Sequence, residues 1–469
     1  MADHENGRKK INGGDVELQS VLTVVSSTPV NPPDQVCPLT PLDRAMGQHS
    51  VHVIFYFRSG SIDFDGIRPA LNEVLTLYPN VIGRLAKDED GNWVIRCTDA
   101  GVRVHRAKVG TSVDEWLRSA SANDEKFLTL RQDMPDDPKY WAPYRMQVTD
   151  FEGGGTAISL SYPHMLADPI SATLLIKSWA EACHGDVIVH PPFIHPPALN
   201  IPPSFANLPK ATTHYVAKSS TPNPDSEVKM ASATFNFSNS KIKESLAKMC
   251  STLPDATPFD LLSALFWTRI AKLKAQNTRN DDIKQSISIC VDMRKRLHAS
   301  LPYGYVGNAL HFSQLTVDSN KMGGGDIGQL AELVHRHVTG LKEEEFWSAV
   351  DWLSSRKDDQ GKFFPPFRMY GPELTCVNME SMIAPIGTHN SESQPLMYGV
   401  EFVKDQKPAH VSYHVENAEG EGLILVMPSP EEGLSRRVTV TLPEEEMENL
   451  LQDKVVLSLD PTLLLSGTS

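Results

Sequence analysis

Nine prolines crowd the stretch from His190 to Asp225, at positions 191, 192, 196, 197, 202, 203, 209, 222 and 224. Each fixes φ and lacks an N–H, so the run cannot form the interior of a helix or a central strand. It also shows little hydrophobic periodicity, and it reads as a semi-rigid, extended crossover rather than a packed element. With 469 residues the chain is too long for one ordinary core. The prolines therefore divide it into an N-terminal domain over 1–189, a crossover over 190–227 and a C-terminal domain over 228–469.

Each half mixes strand and helix patterns without strict alternation, which predicts an α+β or mixed α/β class. After a polar head to about Gly14, the first half predicts strands at Val16–Val21, His52–Phe57 and Trp93–Cys97. An apolar stripe of Ile67, Leu71, Val74, Leu75 and Tyr78 predicts a helix stopped by Pro79, with a return to strand over Asn80–Leu85. Arg145–Val148 and Thr156–Tyr162 read as a hairpin across three glycines, Gly153 to Gly155. The second half predicts strands at Ala231–Phe237, Ser286–Val291, Ala309–Phe312, Leu374–Val377, Gly399–Val403, His410–Val415 and Gly422–Met427. Its helices fall near 240–249, 258–270, 327–339, 343–353 and 444–451.

The most informative stretch is Thr156–Cys183. Ile158, Leu160 and Tyr162 alternate with Ser159 and Ser161 as in a half-buried strand, and Pro163 ends it. From Pro169 the period changes to that of a helix. Between them lies His164-Met165-Leu166-Ala167-Asp168, which places a histidine at a strand tip. Asp168 followed by proline also reads as an ordinary N-cap. The His-x-x-x-Asp spacing alone does not decide between a structural and a chemical role.

Composition removes several classes. Apolar residues are 40% and charged residues 22%, as in a soluble globular protein, and the net charge of −14 argues against a nucleic-acid partner. No run of 18 apolar residues offers a membrane span, and the polar start MADHENGRKKINGG has no secretory h-region. Six scattered cysteines (37, 97, 183, 250, 290 and 376) form no C-x-x-C pair, which predicts reduced thiols, a cytoplasmic location and no metal site.

Taken together, several stretches resemble the BAHD acyl-CoA-dependent acyltransferases, and in particular their fungal trichothecene acetyltransferase branch. They are Pro41-Leu42-Asp43, the Tyr78-Pro79 helix end with Gly83-Arg84-Leu85, Ser161 to Asp168, Val291 to Leu297, and Gly304-Tyr305-Val306-Gly307-Asn308. Order and spacing hold across nearly the whole chain. The resemblance implies two similar-sized domains, each a mixed sheet with flanking helices, and an active-site tunnel at their interface. It implies His164 as catalytic base, Asp168 paired with Arg294 as motif support, and Asn378 as a candidate for positioning the acyl group or substrate; Asn308 either positions the acyl oxygen or merely closes the Gly307 turn. The family's Asp-Phe-Gly-Trp-Gly element falls on Glu401-Phe402-Val403-Lys404-Asp405-Gln406, which keeps only the carboxylate and the phenylalanine.

The residues fit that chemistry. A hydroxyl is a weak nucleophile at neutral pH, and a neutral imidazole can take its proton and return it to a thiolate. The expectation is a monomeric O-acyltransferase with acyl-CoA, acetyl-CoA by resemblance, as co-substrate and a small-molecule alcohol as acceptor, with no permanently bound cofactor. Rival readings are a non-acylating relative such as a pericyclase, a silent binding scaffold, N-acylation, and condensation on carrier-protein thioesters.

Overall fold

The computed structural model describes residues 16–467 apart from 33–34, 59, 61, 195–200, 206–211, 221–227, 278–283, 320–321, 323–326, 386–392 and 419. The polar head and most of the crossover prolines lie outside the described residues. The strands, in chain order, are β1 (Val16–Val24), β2 (Val36–Pro38), β3 (Ser50–Phe57), β4 (Arg84–Lys87), β5 (Trp93–Arg96), β6 (Val102–Val109), β7 (Arg145–Phe151) and β8 (Thr156–Pro163). In the second half they are β9 (Met230–Phe237), β10 (Lys284–Asp292), β11 (Leu310–Asp318), β12 (Thr375–Asn378), β13 (Ile383–Pro385), β14 (Ser393–Pro395), β15 (His410–Val415), β16 (Leu423–Pro428), β17 (Arg436–Pro443) and β18 (Thr462–Leu464).

Two mixed sheets result. The first runs β1-β6-β7-β8-β3-β15 and the second β11-β10-β12-β16-β17-β9-β18. Helices Phe64–Leu77 and Pro169–Cys183 pack on one another beside the first sheet, and the long helix Pro258–Asn277 packs with Ile327–Gly340 beside the second. The class is the mixed α/β one expected, in two domains.

The sheets do not follow the halves of the sequence. β15 belongs to the second half but pairs antiparallel with β3, His410 opposite Tyr56 and Val415 opposite Val51. The crossover is also less extended than its prolines suggest. Its described part includes a helix, Thr213–Ser220, whose Tyr215 and Lys218 are buried.

Other differences are local. Asn80–Leu85 begins as a helical turn, Pro79–Ile82, because Pro79 takes the first helical position and Tyr78 precedes it. Gly399–Val403 is no strand but follows a 3₁₀ turn, Leu396–Gly399, and its Phe402 is buried between Phe57 and Trp179 with ring centroids 5.7 and 4.8 Å away. The strands β6 and β17 and the helix Val113–Ser119 add to the expected elements, with Val102, Val104, Ala107 and Val109 the buried positions of β6 and Ser112 the cap of the helix. β8 is buried on both faces rather than one. Ser159 Oγ donates to Leu128 O (2.6 Å) and Ser161 Oγ accepts from Leu130 N (3.2 Å), so the alternating serines hold a covering segment, not solvent.

The three glycines between β7 and β8 all take positive φ, from 78° to 105°, a turn conformation that glycine adopts without a Cβ penalty. No helix among the described residues is long and apolar enough to cross a membrane.

Candidate active site

His164 opens a 3₁₀ turn, His164–Leu166, directly after β8. Its N–H donates to His49 O at 2.8 Å, and the side chain is fully buried. Ala167 returns to extended backbone (φ −163°, ψ 147°), and Asp168 then caps the following helix, accepting from Ser171 N at 3.0 Å.

The cap carboxylate does more than cap. Arg294 Nη1 reaches Asp168 Oδ2 at 2.7 Å and Nη2 reaches Oδ1 at 3.0 Å, a bidentate pair with both side chains at 0% exposure. Ala309 N adds a bond to Oδ2 at 3.1 Å. Arg294 also holds Asp292 (2.7 Å), Ser171 Oγ (3.1 Å) and the carbonyl of Tyr305 (3.0 Å). Burial alone would lower the guanidinium's pKa, but Asp168 and Asp292 overcome it and raise the value further. The His164 turn is thereby tied to the second sheet, from which Arg294 emerges just after β10.

Asn308 sits beneath the same turn. Its Nδ2 donates to His164 O (2.9 Å) and to Asp43 Oδ1 (2.9 Å), while its backbone N–H also reaches Asp43 Oδ1 (2.8 Å). Both amide hydrogens are thus engaged, and none is left for an acyl oxygen. Asn378 lies at the end of β12, where its Oδ1 accepts from Glu380 N at 2.9 Å. None of the hydrogen bonds described joins it to His164.

The ring of His164 faces one group. Its Nε2 lies 2.9 Å from Tyr370 Oη, and Nδ1 has no hydrogen-bond partner among the described residues. Burial lowers the imidazole's pKa, against the opposing effects of its own carbonyl and the charge of Asp168, so the ring is neutral. Burial pushes the Tyr370 phenol well above its ordinary value. With the ring proton on Nδ1, the tautomer a general base needs, the phenol donates and Nε2 accepts.

Two residues that support this contact, His49 and Lys218, carry no sequence signal. His49 Nδ1 donates to Glu416 O (2.9 Å), leaving Nε2 to accept from Met369 N (3.0 Å) and Tyr370 N (3.4 Å). Lys218 of the crossover helix donates to Gly371 O (3.0 Å) and pairs with Glu373. Asp43 belongs to the Pro41-Leu42-Asp43 segment, but nothing in its spacing shows that it holds Asn308. Tyr370 follows a proline-bearing loop with no periodicity, so no local pattern could single it out.

A cavity of about 250 Å³ lies between the sheets, lined by Met230, Ser232, Tyr413, Glu416 and Thr441 among others, and His164 is not part of its lining. In the degenerate Glu401–Gln406 element, Asp405 adopts φ 62° and its N–H bonds Glu401 Oε2 at 3.2 Å. The turn thus forms without the family's glycines.

Chemically, the site offers a neutral, buried imidazole whose Nε2 lies at hydrogen-bond distance from a hydroxyl. A family model described as Transferase family matches residues 15–456. The chain is 27% identical over 460 residues to Protein ECERIFERUM 2 of Arabidopsis thaliana, covering 93% of this chain and 97% of that one. It is 26% identical over 416 residues to a hydroxycinnamoyltransferase of Narcissus pseudonarcissus, covering 85% and 90%. Its fold resembles F. sporotrichioides TRI101, solved with coenzyme A and T-2, at a TM-score of 0.70 over 92% of this chain and all of that one. At 14% identity this is a likeness of fold alone, and it does not single out the fungal branch. The match over nearly the whole chain, with the fold beneath it, means that this protein belongs to the Transferase family, the BAHD acyltransferases.

Proposed function

We propose that the protein transfers an acyl group from acyl-CoA to a hydroxyl of a small molecule by direct transfer in a ternary complex, with His164 as general base. The observation that carries this reading is the contact of His164 Nε2 with a hydroxyl at 2.9 Å. An acceptor O–H in that position gives its proton to Nε2 as its oxygen attacks the thioester carbon. The C–S bond then breaks, and the protonated imidazole returns the proton to the thiolate, leaving an ester and free coenzyme A. No acyl-enzyme is required.

Asp168 and Arg294 hold the His164 loop without touching the reacting atoms, and Asn308 fixes its backbone. Acetyl as the acyl group and a secondary metabolite as the acceptor are narrower parts of the proposal, as are a monomeric state and a cytoplasmic location. The trichothecene-like branch has support only in the shared fold. Hydroxycinnamoyl donors, named for relatives of this chain, belong in the same test.

The test is thiol release from acetyl-CoA and p-coumaroyl-CoA with a panel of alcohols. His164→Ala should lower turnover by roughly 10²–10⁴-fold, the usual share of a positioned base. His164→Gln, which fills more of the buried space, should behave the same way while unfolding at nearly the wild-type temperature. Turnover near wild type in both variants would overturn the assignment. A wild-type protein that binds coenzyme A yet never releases thiol would instead mark a silent scaffold.

A further inference from the structure

The base of the proposed reaction is His164. Its ring is fully buried, and its basic nitrogen already holds the Tyr370 hydroxyl. We infer that Tyr370 is a specificity-determining residue of this site: its hydroxyl occupies the seat of the acceptor hydroxyl, and an acceptor reacts only by displacing it. The inference rests on His164 being the base.

The contact is built, not incidental. The Tyr370 ring is 1% exposed and meets Phe312 and His49 edge-on, with centroids 5.2 and 5.1 Å away, while the His164 ring lies tilted against it at 5.6 Å. Its backbone is held from both sides. His49 Nε2 accepts from the N–H groups of Met369 and Tyr370. One residue on, the Gly371 carbonyl is held by Lys218, itself buried and paired with Glu373. That anchor comes from the Thr213–Ser220 helix of the crossover, so the segment joining the two domains also secures the residue that covers the base.

The chemical consequence is selection by displacement. Water or a short alcohol matches the Tyr370 hydroxyl in polarity but brings no apolar body to take the place of its ring. A larger acceptor can exchange ring contact for ring contact and present its own hydroxyl to Nε2. Tyr370 therefore protects acyl-CoA from hydrolysis by a base that would otherwise accept water.

Carbethoxylation of His164 by diethyl pyrocarbonate, quantified by peptide mass spectrometry, reads access to the ring without requiring turnover. In the wild type His164 should react at least tenfold more slowly than His298, which is exposed. Tyr370→Ala should raise the His164 rate tenfold or more. Tyr370→Phe keeps the ring and removes only the hydroxyl, and it should raise the rate about threefold with the fold unchanged. Lys218→Met, which leaves Tyr370 in place but cuts its anchor, should also raise it. Acetyl-CoA hydrolysis without acceptor should increase in Tyr370→Ala and return to background when His164→Ala is added.

A wild-type His164 that reacts as fast as His298 overturns the inference, as does a rate unmoved by both Tyr370 variants. If His164→Ala retains transfer activity, the base assignment falls by that result alone, while the carbethoxylation rates still decide whether Tyr370 covers the ring.

Discussion

Asp168 and Arg294 meet through two hydrogen bonds of 2.7 and 3.0 Å, while Asp168 Oδ1 also caps the helix that follows the His164 turn. One carboxylate thus joins turn to helix within the strand-turn-helix unit and fastens it to the other sheet. The structural and the motif readings of this aspartate describe the same side chain.

That arrangement predicts strong coupling. Arg294→Met leaves Asp168 and Asp292 buried without their cation, and unfolding free energy should fall by about 3–5 kcal/mol. Asp168→Asn keeps a capping oxygen and should cost less. In a double-mutant cycle the two effects should depart from additivity by about 0.5–3 kcal/mol, with the double variant less damaged than the sum. Strict additivity would mean that the pair does not interact in solution.

Acid should destabilise the fold through its histidines. Burial lowers His49 and His214 to about 3 and His52 and His311 to about 4. The unfolded chain takes up protons at these rings near pH 6.5 and the folded chain only near pH 3–4, so stability is present above about 6.5 and is lost on acidification. Each ring contributes at most about 1.4 kcal/mol per pH unit within that window. Urea unfolding at pH 7.5 and 5.0 should show the lower stability at pH 5.0, and equal values would contradict the shifts.

The crossover should prove sensitive to a single methyl group. A Cβ on Gly304 would lie 2.1 Å from Pro191 O, where Phe193 N–H bonds Gly304 O at 2.8 Å. Gly304→Ala should cost about 1–3 kcal/mol and hasten proteolysis near residue 193. Gly110→Ala, whose Cβ would meet only Glu152 Oε2 at 3.9 Å, serves as a control and should stay within about 0.5 kcal/mol.

Thiol titration in denaturant without reductant should find six free cysteines. Cys37 and Cys97 deserve separate readout, because their sulfurs lie 3.2 Å apart on neighbouring segments, in contact but not bonded. A count of four would reveal that this pair had oxidised.

Much of the fold was legible because its signals are local. The period-2 run before Pro163 and the period-3.6 run after Pro169 placed His164 at a strand tip, and Asp-Pro marked the cap. Arg294 came from resemblance to a family, since no spacing rule links residues 126 apart. Phe402 kept its packing role between Phe57 and Trp179 although the motif around it has changed, because an aromatic fills that gap whatever backbone follows.

What the sequence by itself determined is therefore the set of elements, the turn that carries His164 and the cap that steadies it, all set by periodicity, proline and short-range hydrogen bonds. Only the tertiary structure decided that His410–Val415 completes the first sheet, since its alternation suits either sheet and the choice depends on which partner edge is open. Only it, too, brought Tyr370 onto His164 from 206 residues away and placed His49 and Lys218 beside Tyr370's backbone. Such contacts arise from packing between distant segments, and no local pattern in the chain encodes them.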